Sequence, residues 1–168
     1  FLQIAEPIDY GQTSFSCGVE VLRSGLFDER PLSATQPDIY ELRITLPIYN
    51  AVDEACIYVD QDCEVLPPEP QTYAKPILFY GSSITQGGCA ARPSNCYTNR
   101  LAMALDCPIT NFGFSGHAKG EQEIARLIAE QDMSVFVMDY DHNAPDIEHL
   151  RKKHRPFFET VRNRRPEL

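Results

Sequence analysis

The chain has 168 residues, 43% of them hydrophobic, enough for one domain or for one domain and part of another, and nothing in it reads as disordered. With 24 acidic against 15 basic side chains the net charge is −9, so nucleic-acid phosphates and anionic membrane surfaces are repelled and neither is an expected partner. The charge is uneven: residues 151–168 hold seven of the cations and two acidic residues, which suits a helix end, where the dipole favours cations.

From Phe1 to about Leu66 the pattern is that of short strands. Tyr40, Leu42, Ile44 and Leu46 alternate with Glu41, Arg43 and Thr45, which predicts a half-buried antiparallel strand. A second strand is expected over Ala55–Val59, then an acidic turn, then a return strand over Cys63–Leu66. Pro67-Pro68-Glu69-Pro70 follows, and three prolines in four residues break any regular element. It marks the expected boundary between a β-rich segment, 1–70, and a second domain, 71–168.

Lys75–Gly88, KPILFYGSSITQGG, dominates the second domain. Its apolar run Pro76–Tyr80 predicts a buried strand that ends in Gly81 and a hydroxyl-rich turn. Ser83 is the candidate nucleophile, because Gly87 and Gly88 let the backbone pass close to a ligand and a serine there stands at a strand's carboxyl end. An ordinary strand-to-helix turn would read the same way.

Tyr97, Leu101, Ala104 and Leu105 recur at helical spacing, predicting a helix over Asn95–Leu105 that Pro108 stops. A strand is expected over Ile109–Phe114, a helix over Glu121–Gln131 with Ile124, Leu127 and Ile128 inward, and an apolar strand over Met133–Asp139. Pro145 fits the first position of a last helix carrying Ile147, Leu150, Phe157 and Val161, which Pro156 should kink or split. Strand and helix thus alternate three times, which implies an α/β domain with a three-layer parallel sheet.

In such sheets ligands gather beyond the carboxyl ends of the strands. The three expected ends offer Ser83, Gly116 and Asn143, and a serine N–H, the Gly116 N–H and the Asn143 amide would form an oxyanion hole. Gly116 is equally what a tight turn needs, and Asn143 is also a capping residue type. His142, Gln86 and Gly87 are candidate substrate contacts. No cofactor is indicated: the serine loop lacks the Gly-Lys-Ser/Thr of a phosphate-binding loop, and Asp139, Asp141, His142 and His149 have no recognised metal-ligand spacing.

Gly81-Ser82-Ser83-Ile84-Thr85-Gln86-Gly87 resembles the first block of SGNH (GDSL-type) hydrolases, with Ser82 where the family has aspartate. Asn111–Gly116, NFGFSG, is similar to the second block, and Asp141-His142-Asn143 to the third, with Asp141 in place of glycine. The resemblance implies a serine esterase acting on a small-molecule or carbohydrate ester, such as an acetyl group on a sugar. It implies Ser83 as nucleophile, Gly116 and Asn143 as oxyanion donors, and an N-terminal β-sandwich of which Leu46–Val52 looks like the end.

Asp146-Ile147-Glu148-His149 spells the family's last motif, Asp-x-x-His, but two strands too early. It reads instead as a surface pair three residues apart on a helix. The base is then expected beyond Leu168 and the 168 residues alone are expected to be inactive. The competing readings are a non-catalytic carbohydrate-binding or interaction module on the same fold, and a shortened enzyme that has recruited His149.

Cys17, Cys56, Cys63, Cys89, Cys96 and Cys107 contain no Cys-x-x-Cys pair, so a structural zinc site is not expected. Cys56 with Cys63 and Cys89 with Cys96 could close short loops, whereas buried free thiols are the commoner state. No signal peptide, transmembrane run or glycosylation sequon is visible, which favours the cytoplasm. The chain does, however, begin at Phe1 rather than Met.

Overall fold

A computed structural model describes residues 43, 45–49 and 65–168. The chain divides into two compact units, Phe1–Glu69 and Pro70–Leu168. In the first, Arg43, Thr45 and Leu46 of the expected strand over Tyr40–Leu46 are in no regular structure, and Val65 and Leu66 are exposed. The rest of that strand, the strand over Ala55–Val59, Cys17, the Cys56–Cys63 loop and the β-sandwich lie outside the described residues.

The second unit is built on a three-stranded parallel sheet in the order β2-β1-β3, with β1 at Ile77–Gly81, β2 at Ile109–Gly113 and β3 at Val135–Asp139. In register, Phe79 pairs with Asn111 and Val137, and Gly81 with Gly113 and Asp139. The central strand is covered on both faces, which is why its sequence is apolar without alternation. Leu78 and Tyr80 point to one face, where helices α3 (Gln122–Ala129) and α4 (Ile147–Arg164) pack. Phe79 points to the other, edge-on to Tyr97 of α2 (Tyr97–Leu105), beside the single-turn helix α1 (Ser83–Gln86).

The core of the first face is aromatic: Tyr80 stacks on Phe157 at 4.7 Å, and Tyr140 and Phe136 join the same group. Ile128, Ala125, Met133 and Val161 complete it. Large flat side chains suit the gap between sheet and helix because each buries much apolar area with little rotamer entropy to lose.

Several local expectations need correcting. The second helix starts at Tyr97, after a separate 3-10 turn over Pro93–Asn95, and its fully buried residue is Thr98, while Leu101 and Leu105 stay exposed. In α3 the buried stripe is Ala125 and Ile128, with Ile124 partly buried and Leu127 outward. In the last helix Asp146 is the cap, its carboxylate accepting the His149 N–H at 2.7 Å, so Pro145 lies outside the helix. Pro156 does not split α4, which runs unbroken to Arg164 with Phe157 and Val161 facing the sheet. Burial of those two side chains outweighs the one helical hydrogen bond that proline removes.

Cys89 is a free, exposed thiol and Cys96 and Cys107 are free and buried, so the Cys89–Cys96 closure is not formed. No helix among the described residues is long and apolar enough to cross a membrane.

Candidate active site

The carboxyl ends of all three strands meet at one edge of the sheet, and hydrogen bonds stitch their exit loops together. The Ser82 N–H donates to Asp139 O at 3.1 Å, joining the ends of β1 and β3; the Phe114 N–H donates to Gly81 O at 2.9 Å, joining β2 and β1. Asn143 closes the circuit: its side-chain Nδ2 donates to Phe114 O at 3.1 Å. The loops bearing Ser83, Gly116 and Asn143 are thus fixed to one another.

Ser83 is the first residue of α1 and is half-buried. Ser82 caps that helix, its Oγ accepting the Ile84 N–H at 3.2 Å, and is itself buried. Serine and aspartate are both strong capping residues, so a serine where the family's block has aspartate preserves this turn. Gly87 ends α1 in the left-handed conformation, with its N–H on Ser83 O and Ile84 O. A Cβ on Gly113 would lie 2.2 Å from the Gln86 backbone nitrogen, so only glycine at the end of β2 lets α1 pack this closely.

The Gln86 side chain ties the loops together as well, its Oε1 accepting the Ser115 N–H at 2.9 Å. Gly116 sits at the tip of the β2 exit turn with φ +70 and open space where a side chain would stand. His142 is exposed in the 3-10 turn Asp141–Asn143.

The remaining histidines near these loops are held by backbone carbonyls. His117 Nδ1 lies 2.6 Å from Ser115 O, and His149 Nε2 lies 2.7 Å from Lys119 O. A carbonyl only accepts, so each of these nitrogens carries the proton. The expected side-chain pairing of Asp146 with His149 is replaced by the helix cap. Among the described residues no group of three or more His, Cys, Asp or Glu is arranged to hold a metal ion.

Beneath the serine turn lies a polar network that motif reading does not single out. Thr85 Oγ1 and Tyr97 Oη each lie 3.0 Å from Asp139 Oδ2 and 3.1 Å from each other. Asn111, at the middle of β2, donates from Nδ2 to Thr85 O at 2.8 Å and to Thr98 Oγ1 at 3.2 Å. Burial, with Asp139 beside it, pushes the Tyr97 hydroxyl up to about 12 despite its contact with Thr85, so it is a donor throughout the neutral range. The available signal was Asp139 itself: a carboxylate ending an apolar strand must find donors inside the fold.

On the other face, the Tyr80 hydroxyl accepts the Gly120 N–H at 2.8 Å and donates to Glu121 Oε2 at 2.7 Å. Burial raises the Tyr80 phenol well above its ordinary value. Burial alone would raise Glu121 too, but the Tyr80 hydroxyl and backbone donors outweigh it and hold that carboxyl low. This pair anchors the far side of the loop that carries Gly116. An open groove of about 540 Å³ runs along β3 and α4, lined by Met138, Ile147, Leu150 and Arg151 among others, and reaches the β3 exit loop at Tyr140 and Asp141.

A parallel α/β sheet with a capped serine turn and two donor-bearing loops at its carboxyl edge defines the class of SGNH-type hydrolase folds. The sequence agrees: residues 74–168 match the GDSL-like lipase/acylhydrolase family, and the chain belongs to that family. Among solved structures it is similar to a protein from Bacteroides ovatus described as a GDSL-like lipase, with 31% identity and a TM-score of 0.67. The match covers 73% of this chain and 36% of that protein, so the chain spans little more than a third of its length. Comparison with the curated proteins finds no match.

Proposed function

We propose that this chain carries the nucleophile and oxyanion half of a serine esterase that hydrolyses an acyl ester, with an acetyl group on a carbohydrate as the favoured substrate class. The observation that supports it is the stitched edge: Ser83 on one strand exit, Gly116 and Asn143 on the other two, with every loop bonded to its neighbours. Ser83 attacks the ester carbonyl. The Ser83 N–H, the Gly116 N–H and the second hydrogen of Asn143 Nδ2, whose first is on Phe114 O, receive the developing oxyanion.

His117 and His149 each donate from one ring nitrogen to a backbone carbonyl, which leaves the other nitrogen an acceptor; the reading assigns proton removal to neither, because neither stands where the resemblance puts the base. It assigns the base to the histidine of the Asp-x-x-His motif that the family places after further strands. The excess of acidic side chains favours a neutral ester over a phosphorylated or sulfated one. The serine cap at Ser82 weighs against the non-catalytic alternative, since the departure from aspartate leaves the turn intact.

Hydrolysis of 4-nitrophenyl acetate by the full-length protein, its Ser83→Ala variant and the 168-residue chain tests this. The full-length protein is expected to lose roughly 1,000-fold or more in kcat on Ser83→Ala, and the 168-residue chain to match the alanine variant. Serine-dependent turnover by the short chain would move the base into residues 1–168. Equal rates for full-length protein and variant would sink the esterase reading.

A further inference from the structure

We infer that Asp139 is the positioning residue of the serine turn, holding Ser83 from both flanks through its backbone oxygen and its carboxylate; this rests on the reading of Ser83 as nucleophile. Asp139 O accepts the N–H of Ser82, one residue before Ser83, at 3.1 Å. Its Oδ2 accepts from the hydroxyl of Thr85, two residues after, at 3.0 Å. The third bond, from Tyr97 at 3.0 Å, ties the carboxylate to α2.

The flanks are buried while Ser83 between them is only half-buried, so the clamp is inside and the serine faces outward. An isolated four-residue helix has no stability of its own, because nucleation costs more than one turn of hydrogen bonds returns. Something outside α1 must fix it. Asn111 holds the Thr85 carbonyl from β2, and Asp139 holds the Thr85 hydroxyl from β3, so α1 is gripped from both outer strands.

The chemistry of the clamp matters as much as its place. An apolar pair would hold the turn without fixing its rotation, whereas a carboxylate accepting two hydroxyl donors is directional. A carboxylate only accepts, so a hydroxyl that bonds Oδ2 does so as the donor, and the two hydroxyls stand 3.1 Å from each other beside that shared acceptor. Asp139 also begins the exit that carries Asn143, four residues on. One residue therefore couples the nucleophile's angle to the position of an oxyanion donor.

Asp139→Leu tests this, since it keeps roughly the size of the side chain and removes the one oxygen, Oδ2, that both hydroxyls share as acceptor. In the full-length protein kcat for 4-nitrophenyl acetate is expected to fall about 10- to 100-fold, with KM within about twofold. Tyr97→Phe, which removes one donor and leaves Thr85, should move kcat the same way by less. Phe157→Leu, a core change on the opposite face, should lower the melting midpoint and leave kcat unchanged.

Hydrogen exchange supplies a readout that needs no activity. The Gln86 and Gly87 amides, which bond Ser82 O and Ser83 O, should exchange at least about tenfold faster in Asp139→Leu, while amides of α4 keep their wild-type rates. Unchanged exchange at Gln86 and Gly87 overturns the clamp whether or not hydrolysis is seen, and faster exchange with unchanged kcat overturns its role in positioning. If Ser83→Ala alone leaves hydrolysis intact, the nucleophile assignment fails instead, and exchange still decides the clamp.

Discussion

The two faces of the sheet are built from different interactions. Against α3 and α4 the contacts are aromatic and apolar, with Tyr80, Phe136, Tyr140 and Phe157 stacked in one group. Against α1 and α2 they are largely hydrogen bonds among Thr85, Tyr97, Thr98, Asn111 and Asp139. Dispersion and hydrophobic burial are non-directional and set how stable the domain is; hydrogen bonds are directional and set where a backbone turn points. The proposed nucleophile stands on the hydrogen-bonded face.

The largest separation between the faces is expected from Phe157→Ala. Removing a fully buried ring should cost about 3–5 kcal/mol, read as a lower urea midpoint with unchanged m, and the fraction that remains folded should keep its kcat. Gly113→Ala is the reverse test. Its methyl would collide with the Gln86 backbone, so α1 must shift. We expect about 1–3 kcal/mol of destabilisation and a fall in kcat beyond what the folded fraction explains; an unchanged kcat would detach α1 packing from catalysis.

Titration sharpens the contrast further. Glu121 has a folded value below its ordinary 4.5, so its contribution is present above that value and is lost as pH falls through the lowered one. Tyr97 is raised from 10.0 to about 12, so its contribution is complete below pH 10 and is lost as pH rises from 10 towards 12. Acid should therefore loosen the α3 side first, and Tyr97→Phe should flatten the alkaline limb of a stability–pH curve while leaving the acid limb alone. Tyr80 and Tyr140, both raised by burial, contribute an alkaline loss that this variant does not remove.

The smallest effect is expected at the surface of α4. Arg155 bonds Glu159 at 2.7 Å with both side chains largely in water, and Arg155→Ala should leave the melting midpoint and kcat where they were.

Much of the second unit was legible in the sequence. The apolar run before Gly81, the apolar strand before Asp139 and the helix between them are signals of period and composition that burial on one or two sheet faces imposes locally. The loop residues Ser83, Gly116 and Asn143 could be nominated because open parallel sheets gather ligands at one edge. What period alone misjudged was which side chains face inward. Leu101, Leu105 and Leu127 were expected inside on spacing, yet lie exposed, while Thr98 and Thr85 are fully buried.

Sequence by itself determined the alternation of strands and helices, the serine-bearing turn after the first strand and the family, because each depends on residues close together in the chain. Only the tertiary structure decided that Asp139 serves Thr85 and Tyr97, that His149 serves Lys119 O, and that Asn143 reaches Phe114 O. These partners lie 29 to 54 residues apart, and a polar side chain's partner is chosen by which strand ends the sheet register brings together, a property that no local window of sequence contains.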